Sequence, residues 1–469
     1  MLSNLLAMLQ DCPVIASVQA SDRSAVDYPE TLLQLAQASI DQGVEVVRLQ
    51  GAENIRFMKE KLSVPIIGLI KKQHPGSDIY ITPTKHDVKR LLALESEIIA
   101  LDASTDRRPD GSTFDELVGL IQFNGRLAMA DCDSEATVDN AIKSHADIIS
   151  TTLAGYTSAR PMTVGPDFDL IRYAVSKGAT VIAEGRFTQR WQVEAALRIG
   201  AKGVVIGGAI NDPVKQTRAL TPPSRAYDKV GAVDLGGTWI RFGLFDRGEL
   251  KDVRKIERPS DRQARVDWIL DQVQSCKVDR LGIGTGGTVD PATGEVWEAK
   301  EIIPSHAGTI LNSEAFGVPT FAMNDGLATA WGHASHPSMA GKRVATLALG
   351  TGVGAGYVSD GRIFCGSRGE YLRINDLYLP NGKMIEDVLG GAALTENPTA
   401  AQIAEATEAF RFAVDFLRKS YFPDAIVVSG GVGLSDWLRP TIEEVGCIAT
   451  PYGEDAGLFG AYQLAYYSS

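Results

Sequence analysis

The sequence lacks a GxxxxGK[ST] phosphate loop and any CxxC pair, and no apolar run nears the roughly 20 residues that span a bilayer. Its five cysteines, Cys12, Cys132, Cys276, Cys365 and Cys447, are odd in number and scattered. That pattern argues against a disulfide framework or a metal knuckle and for buried, reduced thiols. Basic charge is also short, with 46 Lys and Arg against 58 Asp and Glu and a net charge of -12. Without a positive field to attract a phosphate backbone, nucleic acid is not an expected partner. The first positive side chain is Arg23 and Asp11 interrupts the early apolar residues, so neither a signal peptide nor a membrane partner is expected and the cytoplasm is the expected location.

A chain of 469 residues exceeds what one core usually organises, so two domains are expected. From residue 14 to about 210 one pattern repeats eight times, a short apolar run followed by a helix-like segment: VIASVQ, VEVVRLQ, PIIGLI, EIIALDA, LAMADCD, ADIISTTL, TVIAEG and GVVIGG. Continuous apolar runs suit parallel strands covered by helices, and eight such units predict an α/β chain that opens with a (β/α)8 TIM barrel over residues 1–222. An open doubly wound sheet would carry a glycine-rich first turn, which is missing here. Pro222 and Pro223 mark a linker at 223–228, and a second domain runs over 229–469.

Barrel enzymes carry their reactive groups at the C-terminal ends of the strands. Here the runs end in Gln19, Arg48, Lys71, Asp102, Asp131, Thr151 with Thr152, Glu184 with Arg186, and Gly207 with Gly208. The glycine pair and Arg186, at the seventh and eighth ends, suit a phosphate. Lys71 could form a Schiff base or remove a proton beside a carbonyl, and spacing does not separate the two. Arg48, if near, would favour the neutral amine.

The motifs CPVIASVQA, VVRLQG, VPIIGLIKK, IYITPT, IIALDAS, LAMADCDS, DIISTTLAGYT, VIAEGRF and VVIGGAI, in this order, resemble N-acetylmannosamine-6-phosphate 2-epimerases. The resemblance implies inversion at C2 of an open-chain sugar phosphate. Lys71 would be the proton carrier, assisted by Glu184. Gln19, Arg48, Asp131 and Arg186 would bind substrate, and Gly207 and Gly208 would hold its phosphate. The sequence departs from the family in the residues that follow Lys71, Lys72, Gln73 and His74.

The second half opens with VDLGGTWIRFGLFD, a hairpin in which Gly236, Gly237 and Thr238 can face a nucleotide phosphate and Asp234 can orient Mg²⁺. A second hairpin, LALGTGVGAGYV, offers Gly350, Thr351 and Gly352. Between them, Asn324 and Asp325 end an apolar strand before a helical run, where Asp325 can take a proton from a sugar hydroxyl and Asn324 can bind its neighbour. Two opposed phosphate hairpins suggest the two-lobed actin and hexokinase fold. DLGGT, GIGTGGTVDPATGEV, NDGLATAWG, LGTGVGAG and VVSGGVG resemble ROK sugar kinases, especially N-acetylmannosamine kinases. That resemblance implies ATP and Mg²⁺, puts Gly286, Gly287, Glu370 and Glu386 at the sugar, and sets Gly430 and Gly431 near adenosine.

The resemblance stops at the family's structural zinc. Where a GH pair and a CxCGxxGC segment are usual, this chain has GEYLRINDLYLPNGKMIED, with Arg373 in the place of the histidine. No structural zinc is therefore expected. Order would come from Tyr371, Leu372, Leu377 and Leu379, and Arg373 would donate to the sugar or to a carboxylate. The combined reading is a bifunctional enzyme of sialic acid or amino sugar catabolism that acts on small amino sugars as a homo-oligomer. A sugar-responsive repressor would need a helix-turn-helix where the barrel is expected.

Overall fold

A computed structural model of the chain describes residues 1–20, 24–163, 165–221, 228–299, 305–394 and 397–466. It divides into two compact units, Met1–Pro222 and Pro223–Ser469. The expected linker at 223–228 lies, apart from Asp228, outside the described residues.

In the first unit, β1 (Val14–Val18), β2 (Val47–Gln50), β3 (Ile66–Leu69), β4 (Ile98–Asp102), β5 (Leu127–Asp131), β6 (Ile148–Ser150), β7 (Val181–Glu184) and β8 (Gly203–Ile206) close in sequence order. All neighbours are parallel, and β8 returns to β1 through Val14↔Val204 and Ile15↔Val205. The eight apolar runs are thus the eight strands.

Side chains alternate across a strand, so each strand serves two cores. Ile15, Val46, Ile67, Leu69, Ile98, Ala100, Leu127, Met129, Ile148, Ile182 and Val205 fill the barrel interior. The intervening residues, among them Ala16, Val47, Ile66, Ile99, Ala128, Ile149, Val181 and Val204, pack under the surrounding helices. The helix Leu2–Asp11 adds Leu5 and Leu9 to the interior group and stops one end of the barrel. A Cβ on Gly203 would lie 3.1 Å from Leu9.

Beyond Leu69 the barrel wall splays. β3 and β4 share only the register pairs Ile67↔Ile98 and Gly68↔Ile99. The gap is filled by the returning segment 79–82, since Ile81 bridges Lys71 and its carbonyl accepts the Asp102 N–H at 3.1 Å. Thr82, fully buried and left-handed at φ 44°, ties both sides together by donating its N–H to Ile70 O and its hydroxyl to Ala100 O. The IYITPT motif is therefore a wedge in the barrel wall.

The second unit has two five-stranded sheets of one topology. The first runs Glu249–Glu257, Trp239–Asp246, Lys229–Leu235, Arg280–Thr285, Thr320–Asn324, and the second runs Arg362–Ile363, Val353–Ser359, Val344–Leu349, Ala425–Ser429, Ile448–Ala449. Numbered by appearance, each has the order 3-2-1-4-5, as expected for a two-lobed kinase-like fold.

Helices Asp325–Ala334 and Ala456–Leu464 meet where glycine lets backbones touch. A Cβ on Gly332 would fall 2.8 Å from Gly460 N, and one on Gly282 would fall 1.8 Å from Ala461 O. The latter overlap is with backbone, which cannot rotate away. Gly282→Ala should therefore destabilise the kinase-like unit by about 3 kcal/mol. Heat-inactivation curves should show the activity of that unit lost at lower temperature, with the activity of the barrel unchanged.

Candidate active sites

Continuing the inward phase of each strand by two residues gives the rim of the barrel. Ile15 leads to Ser17 and Gln19, Val46 to Arg48, Leu69 to Lys71, Ala100 to Asp102, Met129 to Asp131, Ile148 to Ser150 and Thr152, Ile182 to Glu184 and Val205 to Gly207. Apolar residues below and polar residues above thus come from the same period of two.

Arg48 is the centre of this rim. It is almost fully buried and donates to both oxygens of buried Asp131, at 3.1 and 2.6 Å, while its Nη1 lies 3.1 Å from Glu184. Burial works against its charge, but Asp131 and Glu184 outweigh that effect and hold the guanidinium above its usual pKa. Thr152 Oγ1 reaches Asp131 at 2.7 Å and Glu184 at 3.0 Å. Its single proton serves one carboxylate. Burial, opposed by Arg48, raises the Glu184 pKa.

Lys71 has no ion-pair partner among the described residues. Desolvation and then the Arg48 charge lower its pKa, Lys215 adds to the decrease, and Glu184 and Asp131 oppose it. The residue as a whole remains exposed at the mouth. Water therefore limits the first effect, and the Arg48 field is the firmer cause. Gln19 donates to Ser17 Oγ at 2.9 Å.

Arg186 turns instead to the loop after β6. It donates to Ala154 O at 2.6 Å, Gly165 O at 2.8 Å and Thr163 Oγ1 at 2.9 Å, from a left-handed backbone at φ 57°. Gly207 and Gly208 begin the short helix that follows β8, and the Lys215 stem crosses Gly208 so closely that a Cβ there would be 3.0 Å from its Cδ. Thr152, named from the sequence as a strand end without a role, joins this mouth, as do Tyr80 and Lys215, which motif reading did not name. Thr152 was recoverable from the inward phase of β6. Tyr80 and Lys215 follow from the wedge and from the helix Pro213–Leu220, which strand reading does not reach.

In the second unit the two glycine hairpins face each other. Thr238 Oγ1 and Thr351 Oγ1 are 3.2 Å apart, and a Cβ on Gly237 would touch the Thr351 methyl at 3.2 Å. Gly236 turns beside Trp239 O, while Gly350 and Gly431 have open space where a Cβ would be. Gly430, at φ 84°, passes so close to Leu349 O that a Cβ would stand at 2.4 Å.

Asp325 is close enough to Asp234 for its charge to be felt there. Burial first, then Asp325, pushes Asp234 up to about 6 against Arg241. Burial also raises Asp325, with Glu386 adding to it and the Gly326 amide opposing. Glu386 lies against Gly352, where a Cβ would be 2.6 Å from its Oε1, and accepts from Asn375 at 3.3 Å.

Asn324 has both ends engaged. Its Nδ2 donates to Gly287 O at 3.0 Å, and its Oδ1 caps the helix Asp325–Ala334 through the N–H groups of Gly326 and Leu327. It thus joins the helix Asp325–Ala334 to the loop at Gly286 and Gly287. Gly287, at φ 90°, sits where a Cβ would be 2.5 Å from Glu298 O.

Arg373 finds a carboxylate partner in Glu298, and lies 3.8 Å from Asp376. Glu370 accepts the Arg368 N–H at 2.9 Å. Leu372, Leu377 and Leu379 pack into the core of the second lobe, whereas Tyr371 packs with Met323, Leu327 and Cys365 in another cluster. Among the described residues no three His, Cys, Asp or Glu side chains form a metal-holding group, and no helix is long and apolar enough to cross a membrane.

Residues 32–221 match the family described as "Putative N-acetylmannosamine-6-phosphate epimerase" (NanE), and residues 230–372 match the ROK family. The "Bifunctional enzyme NanE/NanK" of Brucella melitensis biotype 1 is 31% identical over 501 residues, covering 96% of this chain and 96% of its own. The solved N-acetylmannosamine-6-phosphate 2-epimerase from Clostridium perfringens shares 36% identity over 46% of this chain and 94% of that one, with a TM-score of 0.45. A ROK hexokinase from Thermus thermophilus shares 24% over 51% and 98%, with a TM-score of 0.42. With its NanE barrel followed by a ROK unit, and a NanE/NanK relative matched from end to end, the chain belongs to the bifunctional NanE/NanK enzymes.

Proposed function

We propose that residues 229–469 transfer the γ-phosphoryl group of ATP to O6 of N-acetylmannosamine, and that residues 1–222 convert the 6-phosphate to N-acetylglucosamine 6-phosphate. The segment 223–228 links the two catalytic units, which act as a cytoplasmic homo-oligomer. The observation that carries the reading is the rim of the barrel, where Lys71 stands without an ion-pair partner among the described residues beside the Arg48, Asp131 and Glu184 network.

In the barrel, Lys71 removes the C2 proton and returns it to the opposite face. Arg48 stabilises the enolate charge, Glu184 assists the proton transfer, and Gln19, Asp131 and Arg186 orient the sugar. Gly207 and Gly208 hold the phosphate through main-chain N–H groups.

In the kinase unit, Gly236, Gly237, Thr238, Gly350, Thr351 and Gly352 enclose the phosphates, while Gly430 and Gly431 lie along adenosine. Asp325 takes the O6 proton as O6 attacks phosphorus. Gly286, Gly287, Asn324, Glu370, Arg373 and Glu386 shape the sugar site. A buried carboxylate, Asp234, raised by burial and by the Asp325 charge, fits a divalent cation. Mg²⁺ there would offset phosphate charge. Apolar packing of Leu372, Leu377 and Leu379 orders the sugar-side segment in place of a zinc.

Lys71→Ala should abolish epimerisation and leave phosphorylation intact, and Asp325→Asn should do the reverse. Loss of both activities in either folded variant would contradict two sites. N-acetylglucosamine 6-phosphate in D₂O should gain deuterium at C2 without a nicotinamide cofactor, and borohydride trapping of a lysine adduct would favour the Schiff base instead.

Kinase activity needs Asp234 and Asp325 ionised, and both are raised. Its kcat/KM should therefore fall with acid through about pH 6, above the ~4 of an ordinary carboxylate, as pH–rate profiles will show. Arg373→Ala frees Glu298 beside Gly287. It should raise the KM for N-acetylmannosamine about tenfold and that for ATP much less in initial-rate measurements.

A further inference from the structure

Of the three carboxylates that face inward at strand ends, two are spoken for. Asp131 and Glu184 both pair with Arg48. Asp102 forms no ion pair among the described residues. One of its oxygens accepts the Ser104 N–H at 2.8 Å, and the other has no partner there. Its main chain is held firmly, with the N–H on Ile81 O and the carbonyl taken by Arg108. Arg108, itself buried, is spent on that carbonyl and on Thr82 O and Pro83 O.

The carboxyl is thus fixed at the rim with one oxygen uncommitted. It lies in register with Asp131 on β5 and across the Ile81 wedge from Lys71. Tyr80, Arg108, Asp131, Cys132 and Asp133 are ionisable neighbours coupled to its charge.

The reaction itself leaves a task for such a group. A hexose 6-phosphate in water is mostly a closed ring, and a proton at C2 is acidic only beside an open C1 carbonyl. Lys71 can act at C2 only after the ring has opened. We propose that Asp102 is the base that opens the ring, an inference that rests on the epimerase reading of the barrel.

Its free oxygen takes the O1–H proton, and the electrons of that bond form C1=O1. The C1–O5 bond breaks with its electron pair going to O5, which takes a proton from solvent at the open mouth. Asp102 then releases its proton to solvent, so no net charge or oxidant is consumed. Burial pushes the Asp102 carboxyl up to about 6, with the Ser104 amide and Arg108 opposing and Asp131 and Asp133 adding. A base of that strength is still ionised at neutral pH and stronger than an ordinary carboxylate.

The test separates ring opening from chemistry at C2. The full-length wild-type enzyme should accelerate interconversion of the two anomers of N-acetylglucosamine 6-phosphate, followed by NMR saturation transfer. Asp102→Asn should remove that acceleration and slow C2 deuterium exchange of the cyclic substrate about 100-fold. With the 4,5-dideoxy analogue, which can close neither a pyranose nor a furanose ring, the variant should exchange C2 deuterium within about twofold of wild type.

Equal losses on the cyclic substrate and the acyclic analogue would overturn the proposal, as would anomer exchange that survives in the variant. If the variant does not fold, wild type alone decides: C2 exchange without anomeric acceleration overturns ring opening and leaves the epimerase intact. Absence of C2 exchange in wild type would instead refute the epimerase reading itself.

Discussion

The ion-pair network at the mouth of the barrel is built on one buried guanidinium. Arg48 enters from β2 and binds carboxylates from β5 and β7, so three strands that are not all neighbours are joined across the mouth. Without it, two buried carboxylates would repel each other, a loss of about 3–5 kcal/mol for each broken pair at such a site. The same charge lowers the pKa of Lys71. Structural and electrostatic demands therefore meet in one side chain, and a neutral replacement would loosen the mouth and raise the Lys71 pKa together.

The kinase-like unit depends on close approach of backbones. Its two sheets share one strand order, each sends a glycine hairpin toward the other, and the helices beneath them touch at Gly332 and Gly460. Packing of this kind holds the hairpins at fixed spacing because the contacts are main chain to main chain and no rotamer can absorb a change. Asn324 extends the same logic, since one amide caps the helix that begins at Asp325 and grips Gly287. Capping and positioning are here one function.

Where the residues depart from the usual ROK pattern, local contacts take over. Arg373 pairs with Glu298, which also accepts from Thr288 at 3.3 Å, so the hairpin at 288–298 and the segment at 371–386 are joined by charge. The leucines of that segment belong to the core of the lobe itself.

Much of this was legible in the order of residues. The eight strands, their polar ends and the two glycine hairpins follow from patterns only two to five residues long, because strand alternation and tight turns are local physics. Arg48, Lys71, Asp131 and Glu184 could be named from where each apolar run stops. Their partners could not, since pairing across the mouth depends on barrel closure and joins residues 83 positions apart, as in Arg48 and Asp131. The same holds for Arg186, which turns to loop carbonyls, and for Asn324, whose amide is already committed. The sequence alone determined which side chains reach the rim; the tertiary structure alone decided which of them, Lys71 and Asp102, are left without an ion pair among the described residues, because charges neutralise one another only once the chain has brought them together.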